Sequence, residues 1–139
     1  MNKFDTTLAA GTKLRLIACA AVLVGDHVIL VRKKRKPEWY FPSEEQYEDR
    51  PLQEIAATAF QDRVGIALDP AKLQLWSQMV SLTGKDFRLF GTRLDAEQHG
   101  SMPGVGPRGH MIMKAALAHL SEVNLRPVHE GLLRKLVKD

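Results

Sequence analysis

From Leu16 to Val24 every residue is apolar, and after Gly25-Asp26 a second, largely apolar run returns over His27–Arg32. Two such runs around a two-residue turn signal predict a hairpin, with strands over Lys13–Val24 and His27–Arg32. The runs are too uniformly apolar for a sheet wetted on one side, so cover is expected on both faces. From Pro51 to Val64 the period changes. Leu52, Ala56, Phe60 and Val64 recur at i+4 beside Ile55 and Ala59, the pattern of an amphipathic helix. Pro51 suits its first turn and Gly65 its left-handed end. Strands are predicted over Leu73–Val80 and Asp86–Leu94 around the turn Thr83-Gly84-Lys85. Gly100, Gly104, Gly106 and Gly109 with Pro103 and Pro107 make residues 95–109 a long mobile loop. A short helix over Lys114–Leu120 and a closing helix over Pro127–Lys138, with Leu132, Leu133 and Leu136 on its apolar face, finish the chain. Strands mixed with helices at this size predict an α/β (α+β) sandwich, helices on both sides of a mixed sheet. Residues 1–12 read as an arm and 13–139 as a single domain.

Composition narrows the class more than the function. With 139 residues, 45% hydrophobic and 26% charged, the chain has ordinary globular content and room for one core. The net charge of +4 mildly favours anionic partners and does not by itself point to nucleic acid. The lone cysteine, Cys19, permits no intrachain disulfide and lies in the apolar run, where a buried, inert thiol is expected. The apolar run breaks at Gly25-Asp26-His27, far short of a membrane span, and Met1–Asp5 do not open a signal peptide. A cytoplasmic protein without membrane partners is expected.

Two charged segments change the picture. Arg32, Lys33, Lys34, Arg35 and Lys36 form an unbroken cationic run closed by Pro37. It reads first as a solvated turn and second as an anion-facing loop. After the aromatic cluster Trp39-Tyr40-Phe41-Pro42, the segment Ser43–Arg50 carries Glu44, Glu45, Glu48 and Asp49 and reads as loop.

The succession of hairpin, basic loop, Trp39-x-Phe41-Pro42, acidic loop and a helix closed by Gly65-Ile66 resembles the Nudix hydrolase family. The resemblance runs from about Lys13 to the C-terminus, where Leu117–Leu120, Leu125-Arg126-Pro127 and the final helix also fit. It implies a Nudix-like α/β/α sandwich. The family signature is Gly-x5-Glu-x7-Arg-Glu-U-x-Glu-Glu-x-Gly-U, with U apolar. Anchored on Gly65-Ile66, its first glycine falls on Glu44 and its first glutamate on Arg50. The Arg-Glu pair falls on Thr58 and Ala59, the apolar position on Phe60, and the Glu-Glu pair on Asp62 and Arg63. The spacing is kept and the chemistry is not.

In the resembled family those carboxylates hold divalent ions that bind phosphates and activate water. Residues i, i+3 and i+4 of a helix share a face. Here that face would carry Ala59, Asp62 and Arg63, with Arg50 from the loop. A net +1 stands where −4 is implied. A like charge about 4 Å from a monovalent ion costs roughly 4 kcal/mol at an effective dielectric near 20. A dication facing Arg50 and Arg63 would meet about double that from each before solvent screening. Asp62 is a weak ligand candidate, and Glu54 lies about 12 Å away along the helix, too far to share an ion with it.

The expectation that follows is a Nudix-like protein with a degenerate motif, deficient in metal-dependent pyrophosphohydrolysis. It would bind a phosphorylated small molecule, a nucleotide or a partner, with no cofactor. Arg32, Arg35, Arg50 and Arg63 are the candidate phosphate contacts. The plainer expectation for Arg50 and Arg63 is ion pairing with Glu54 and Asp62. The alternative is a divergent hydrolase of a nucleoside diphosphate linked to another moiety. It would use magnesium or manganese, with ligands from Asp62, the acidic loop (Glu44, Glu45, Glu48, Asp49) and the substrate's own phosphates. Asp95, Glu97 and His99 stand in the late loop, where the resembled family often supplies an extra catalytic acid. Single-stranded nucleic acid, suggested by cations beside Trp39-Tyr40-Phe41, ranks lowest, because Trp39 and Phe41 match positions where the family packs its core or lines its pocket. Homodimers are common in the resembled family, but no residue here specifies an interface.

Overall fold

The computed structural model describes residues 14–95, 97 and 103–138, with side chains as far as Lys135. Residues 1–12 and His99 lie outside the described residues. Six strands form one mixed sheet: β1 (Arg15–Val24), β2 (His27–Arg32), β3 (Ser43–Glu45), β4 (Gln74–Val80), β5 (Lys85–Leu94) and β6 (Met111–Ala116). Their order is β4-β5-β1-β2-β6, with β3 also paired to β1. β1 and β5 run parallel along their whole length, and the other pairs are antiparallel. Helix α1 (Leu52–Val64) covers one face and α2 (Pro127–Lys138) the other.

The double cover follows from alternation along β1. Ala18, Ala20, Val22 and Val24 enter the core that holds Ile55, Ala56 and Phe60 of α1. Ile17, Cys19, Ala21 and Leu23 enter the core that holds Leu132 of α2. Each fully buried large side chain among these contributes about 1.5–3 kcal/mol through removal from water. Cys19 is buried as expected, and burial pushes its thiol up to about 12, so it stays protonated. α1 begins after Pro51 and ends at Gly65, whose φ of 93° is the left-handed close that glycine permits.

Two expectations are corrected. Ser43–Glu45, expected in a loop, form the short edge strand β3, pairing Glu44 with Ala18 and Glu45 with Ile17. Its acids hide the strand signal, yet alternation sends Glu44 to the α1 face and Glu45 to Arg15 on the other. Residues 114–116, expected to open a helix, belong to β6, which pairs with β2 from Arg32↔Met111 to His27↔Ala116. Lys114-Ala115-Ala116 has little strand propensity, and pairing to a buried neighbour overrides it. Only Leu117–Glu122 turns, as a 3-10 segment.

β4 slips register between Leu75 and Ser77. The slip lays Trp76 against β5, where a Cβ on Gly91 would fall 2.0 Å from the indole. No described helix is long and apolar enough to cross a membrane.

Candidate anion-binding site

The C-terminal turn of α1 meets three other segments. β3 places Glu44 across from Ala18, and Ala18 is flanked on its other side by Arg88 of β5. Partners across a sheet share a face, so Glu44 and Arg88 both lie on the α1 side. Arg63 is largely buried there. Its Nη2 donates to Glu44 Oε2 at 3.3 Å and its Nη1 to the Ala59 carbonyl at 3.3 Å. The segment before β6 lies directly on this turn: a Cβ on Gly106 would sit 1.8 Å from the Arg63 carbonyl oxygen. Only glycine allows that approach.

This contact carries Arg108 and His110 to the helix. Arg108 pairs with Asp62 at 3.3 Å while remaining well exposed. The His110 imidazole is held below its usual pKa, first by burial and then by Arg63, Lys33, Arg108 and Arg126. Four cations from four segments thus act on one ring: Lys33 beyond β2, Arg63 in α1, Arg108 before β6 and Arg126 before α2. Glu44 and Asp62 offset two of them. The Nε of Arg63, the Nε of Arg88 and the Nδ1 of His110 are buried without hydrogen-bond partners. Buried polar atoms left unpaired are costly and concentrate where strain or function is stored.

The residues singled out in the sequence separate into two groups. Arg63, Asp62, Ala59 and Glu44 come together, with Gly65 closing their helix. Thr58, one residue before Ala59, is half-buried. Arg50 stands apart, pairing with Glu54 at 3.3 Å and lying 5.8 Å from the Tyr47 ring centroid. Its ion pair is the one expected; that of Arg63 goes to Glu44 instead of Asp62. Arg32 folds over its own loop, donating to the Lys34 and Lys36 carbonyls, with its guanidinium 5.2 Å from the Trp39 ring. Arg35 is exposed.

The donor set does not fit a resident divalent ion. Ala59 is fully buried and has no ligand atom, Asp62 already meets Arg108, and Glu44 meets Arg63. Among the described residues no three His, Cys, Asp or Glu side chains gather closely enough to hold a metal.

Lys33, Arg108, His110 and Arg126 were not singled out as one cluster, because they are scattered through the sequence. Asp86 was missed for the same reason. It is 1% exposed on β5 and held by Arg88 at 3.1 Å and Gln78 at 3.0 Å. His129 was also missed. It is buried among Tyr40, Phe41 and Phe87, and its Nδ1 accepts the Phe41 N–H at 3.1 Å. Burial, with a smaller push from Arg126, lowers its pKa to about 3. The ring is neutral at physiological pH, with its proton on Nε2.

No family model and no curated protein matches the chain by sequence. Solved structures do match. A MutT structure, described with the enzymes of Aliivibrio salmonicida and Vibrio cholerae, superposes with a TM-score of 0.71 at 11% identity, covering 90% of this chain and 97% of that one. A Nudix hydrolase of Nitrosomonas europaea gives 0.68 at 13% identity, covering 91% and 72%. A bifunctional NMN adenylyltransferase/ADP ribose pyrophosphatase of Francisella tularensis, solved with AMP and a manganese ion, gives 0.69 at 16% identity. The match covers 94% of this chain but 43% of that larger protein. At these identities the likeness is one of architecture, and the architecture of this chain is that of the Nudix hydrolases.

Proposed function

We propose that the chain binds a phosphorylated small molecule, a nucleotide among the candidates, through the cationic basin at the end of α1, and is deficient in metal-dependent pyrophosphohydrolysis. The observation that carries this reading is Arg63. A guanidinium, tied to Glu44 and to the Ala59 carbonyl, occupies the turn where the resemblance implies a metal-holding carboxylate. Arg63 and Arg126 supply charge from fixed positions. Arg126 is anchored with its guanidinium 3.7 Å from the Tyr40 ring centroid. Exposed Lys33 and Arg108 are the groups that reach phosphate oxygens, Arg108 exchanging Asp62 for the ligand. Arg32, Arg35 and Arg50 move to the margin of the site. Tyr40 and Phe41 are buried, which leaves them no face on which a nucleic-acid base can stack.

The test is turnover and binding measured together. Purified protein is incubated with magnesium or manganese and a panel of nucleoside triphosphates, ADP-ribose and dinucleoside polyphosphates. The expected result is no turnover, with thermal stabilisation by a phosphorylated compound in chelator. A second reading, a divergent hydrolase, takes its support from the likeness to the Francisella enzyme described with AMP and manganese. Metal-dependent turnover that disappears in Asp62→Asn would establish it in place of the first.

A further inference from the structure

The sheet face opposite α1 is not filled. Beneath the 3-10 segment Leu117–Glu122 lies a chamber of about 240 Å³, walled by Ala21, Leu23 and Val28 of the hairpin, Trp76 and Leu89 of the neighbouring strands, and Leu117 above. No lining side chain is charged or carries a hydroxyl, carboxylate or amide; the one side chain with a polar atom is Trp76. It shares Leu117, Leu120 and Leu133 with an outer groove of about 420 Å³, where Ser121, Glu130 and Arg134 appear. Protein interiors are close-packed, and a void forfeits the contacts its lining would otherwise make. An apolar cavity of about 150 Å³ stays dry and accepts benzene. A larger one, opening to a groove with a polar end, has the form of a ligand site.

We infer that this chamber and groove bind an amphiphile, an aryl or short acyl body with an anionic end, on the face of the sheet remote from the cationic basin. The apolar lining leaves an inserted polar body without enough partners, so the inserted part is hydrocarbon or aromatic. The volume suits a bicyclic aryl group or a chain of about eight carbons, judged against the benzene-sized case. The anionic end is set by Arg134. It pairs with Glu130 but is the more exposed partner, with side-chain exposures of 74% and 45%. A guanidinium has five N–H donors. A carboxylate or sulfonate at the mouth finds free donors on Arg134, which reaches further into solvent than the more covered Glu130.

Trp76 lines the chamber and is one of only two tryptophans in the chain, so it reports occupancy. In the full chain carrying Trp39→Phe, 1-anilinonaphthalene-8-sulfonate is titrated and energy transfer from Trp76 is followed. The expected result is one saturable site, displaced by octanoate and untouched by inorganic pyrophosphate. Leu117→Asp puts a carboxylate at the mouth on a partly exposed position and should weaken the probe at least tenfold. Ala21→Val, which narrows the chamber, should weaken it several-fold. Arg134→Gln, a surface change, should weaken octanoate several-fold and leave octanol unchanged. Absence of saturable binding overturns the inference. So does displacement by pyrophosphate, or a probe affinity unchanged in both Leu117→Asp and Ala21→Val with their melting transitions intact.

Discussion

The α1 face and the α2 face draw on alternate residues of the same strands, yet they close differently. Under α1 the strands present Ala18 and Ala20 and the helix presents Ala56, Ala57 and Ala59, so backbone approaches backbone and Phe60 fills what remains. Close packing there puts the polar strain at one end, where Arg63, His110 and Arg88 keep unpaired nitrogens. Under α2 the side chains are larger and fit less completely. Leu89, Trp76, Leu120 and Leu133 surround open volume, and the buried polar groups His129 and Ser77 are neutral and hydrogen-bonded. A tight face concentrates charge at its rim, while a loose face keeps apolar space.

The largest effect that separates the faces is packing. Phe60→Ala should cost about 3–5 kcal/mol in denaturant unfolding, because Phe60 is fully buried in the α1-face core. Leu133→Ala, beside an existing void and partly exposed, should cost under about 2 kcal/mol. Equal losses would remove the distinction.

Next comes pH. His129 has a folded pKa near 3 against an ordinary value of 6.5, so below pH 6.5 the unfolded chain takes up a proton that the native chain refuses. Stability from this group is whole above pH 6.5 and falls at about 1.4 kcal/mol per unit toward pH 3. Unfolding at pH 6.5 and 4.5 should differ by about 2 kcal/mol on its account, and His129→Asn should flatten the slope. An unchanged slope in that variant would mean the proton is taken up elsewhere.

At the cationic rim, Arg63→Gln should weaken phosphate-ligand affinity at least tenfold, about 1.4 kcal/mol. Smallest of all, Arg50→Ala breaks an exposed pair with Glu54 and should change both stability and affinity by less than about 0.5 kcal/mol. A larger effect from Arg50 than from Arg63 would move the site away from the end of α1.

Most of this architecture was legible in the sequence wherever periodicity was strong. The hairpin, α1 with its glycine end, the β4–β5 pair and the closing helix all follow from runs of one period. β3 and β6 were hidden because Ser43-Glu44-Glu45 and Lys114-Ala115-Ala116 are strands by tertiary pairing and not by propensity. Site residues were legible in part. Arg63 and Asp62 stand out against the family signature. Lys33 stands in the legible cationic run, but Arg108, His110 and Arg126 carry no local pattern, and only the close approach of Gly106 to α1 brings the first two of these to the basin. A glycine and proline cluster such as 103–109 is itself a sequence signal of such an approach, though it does not name the target.

The central claim is that the basin takes phosphate by its own cations. It is tested most directly by calorimetric titration of the full chain with ADP, once in chelator and once with manganese. Equal affinity in the two, weakened by salt and by Arg63→Gln, is the predicted result. Binding seen only with manganese, or heat from ADP cleavage, would contradict it.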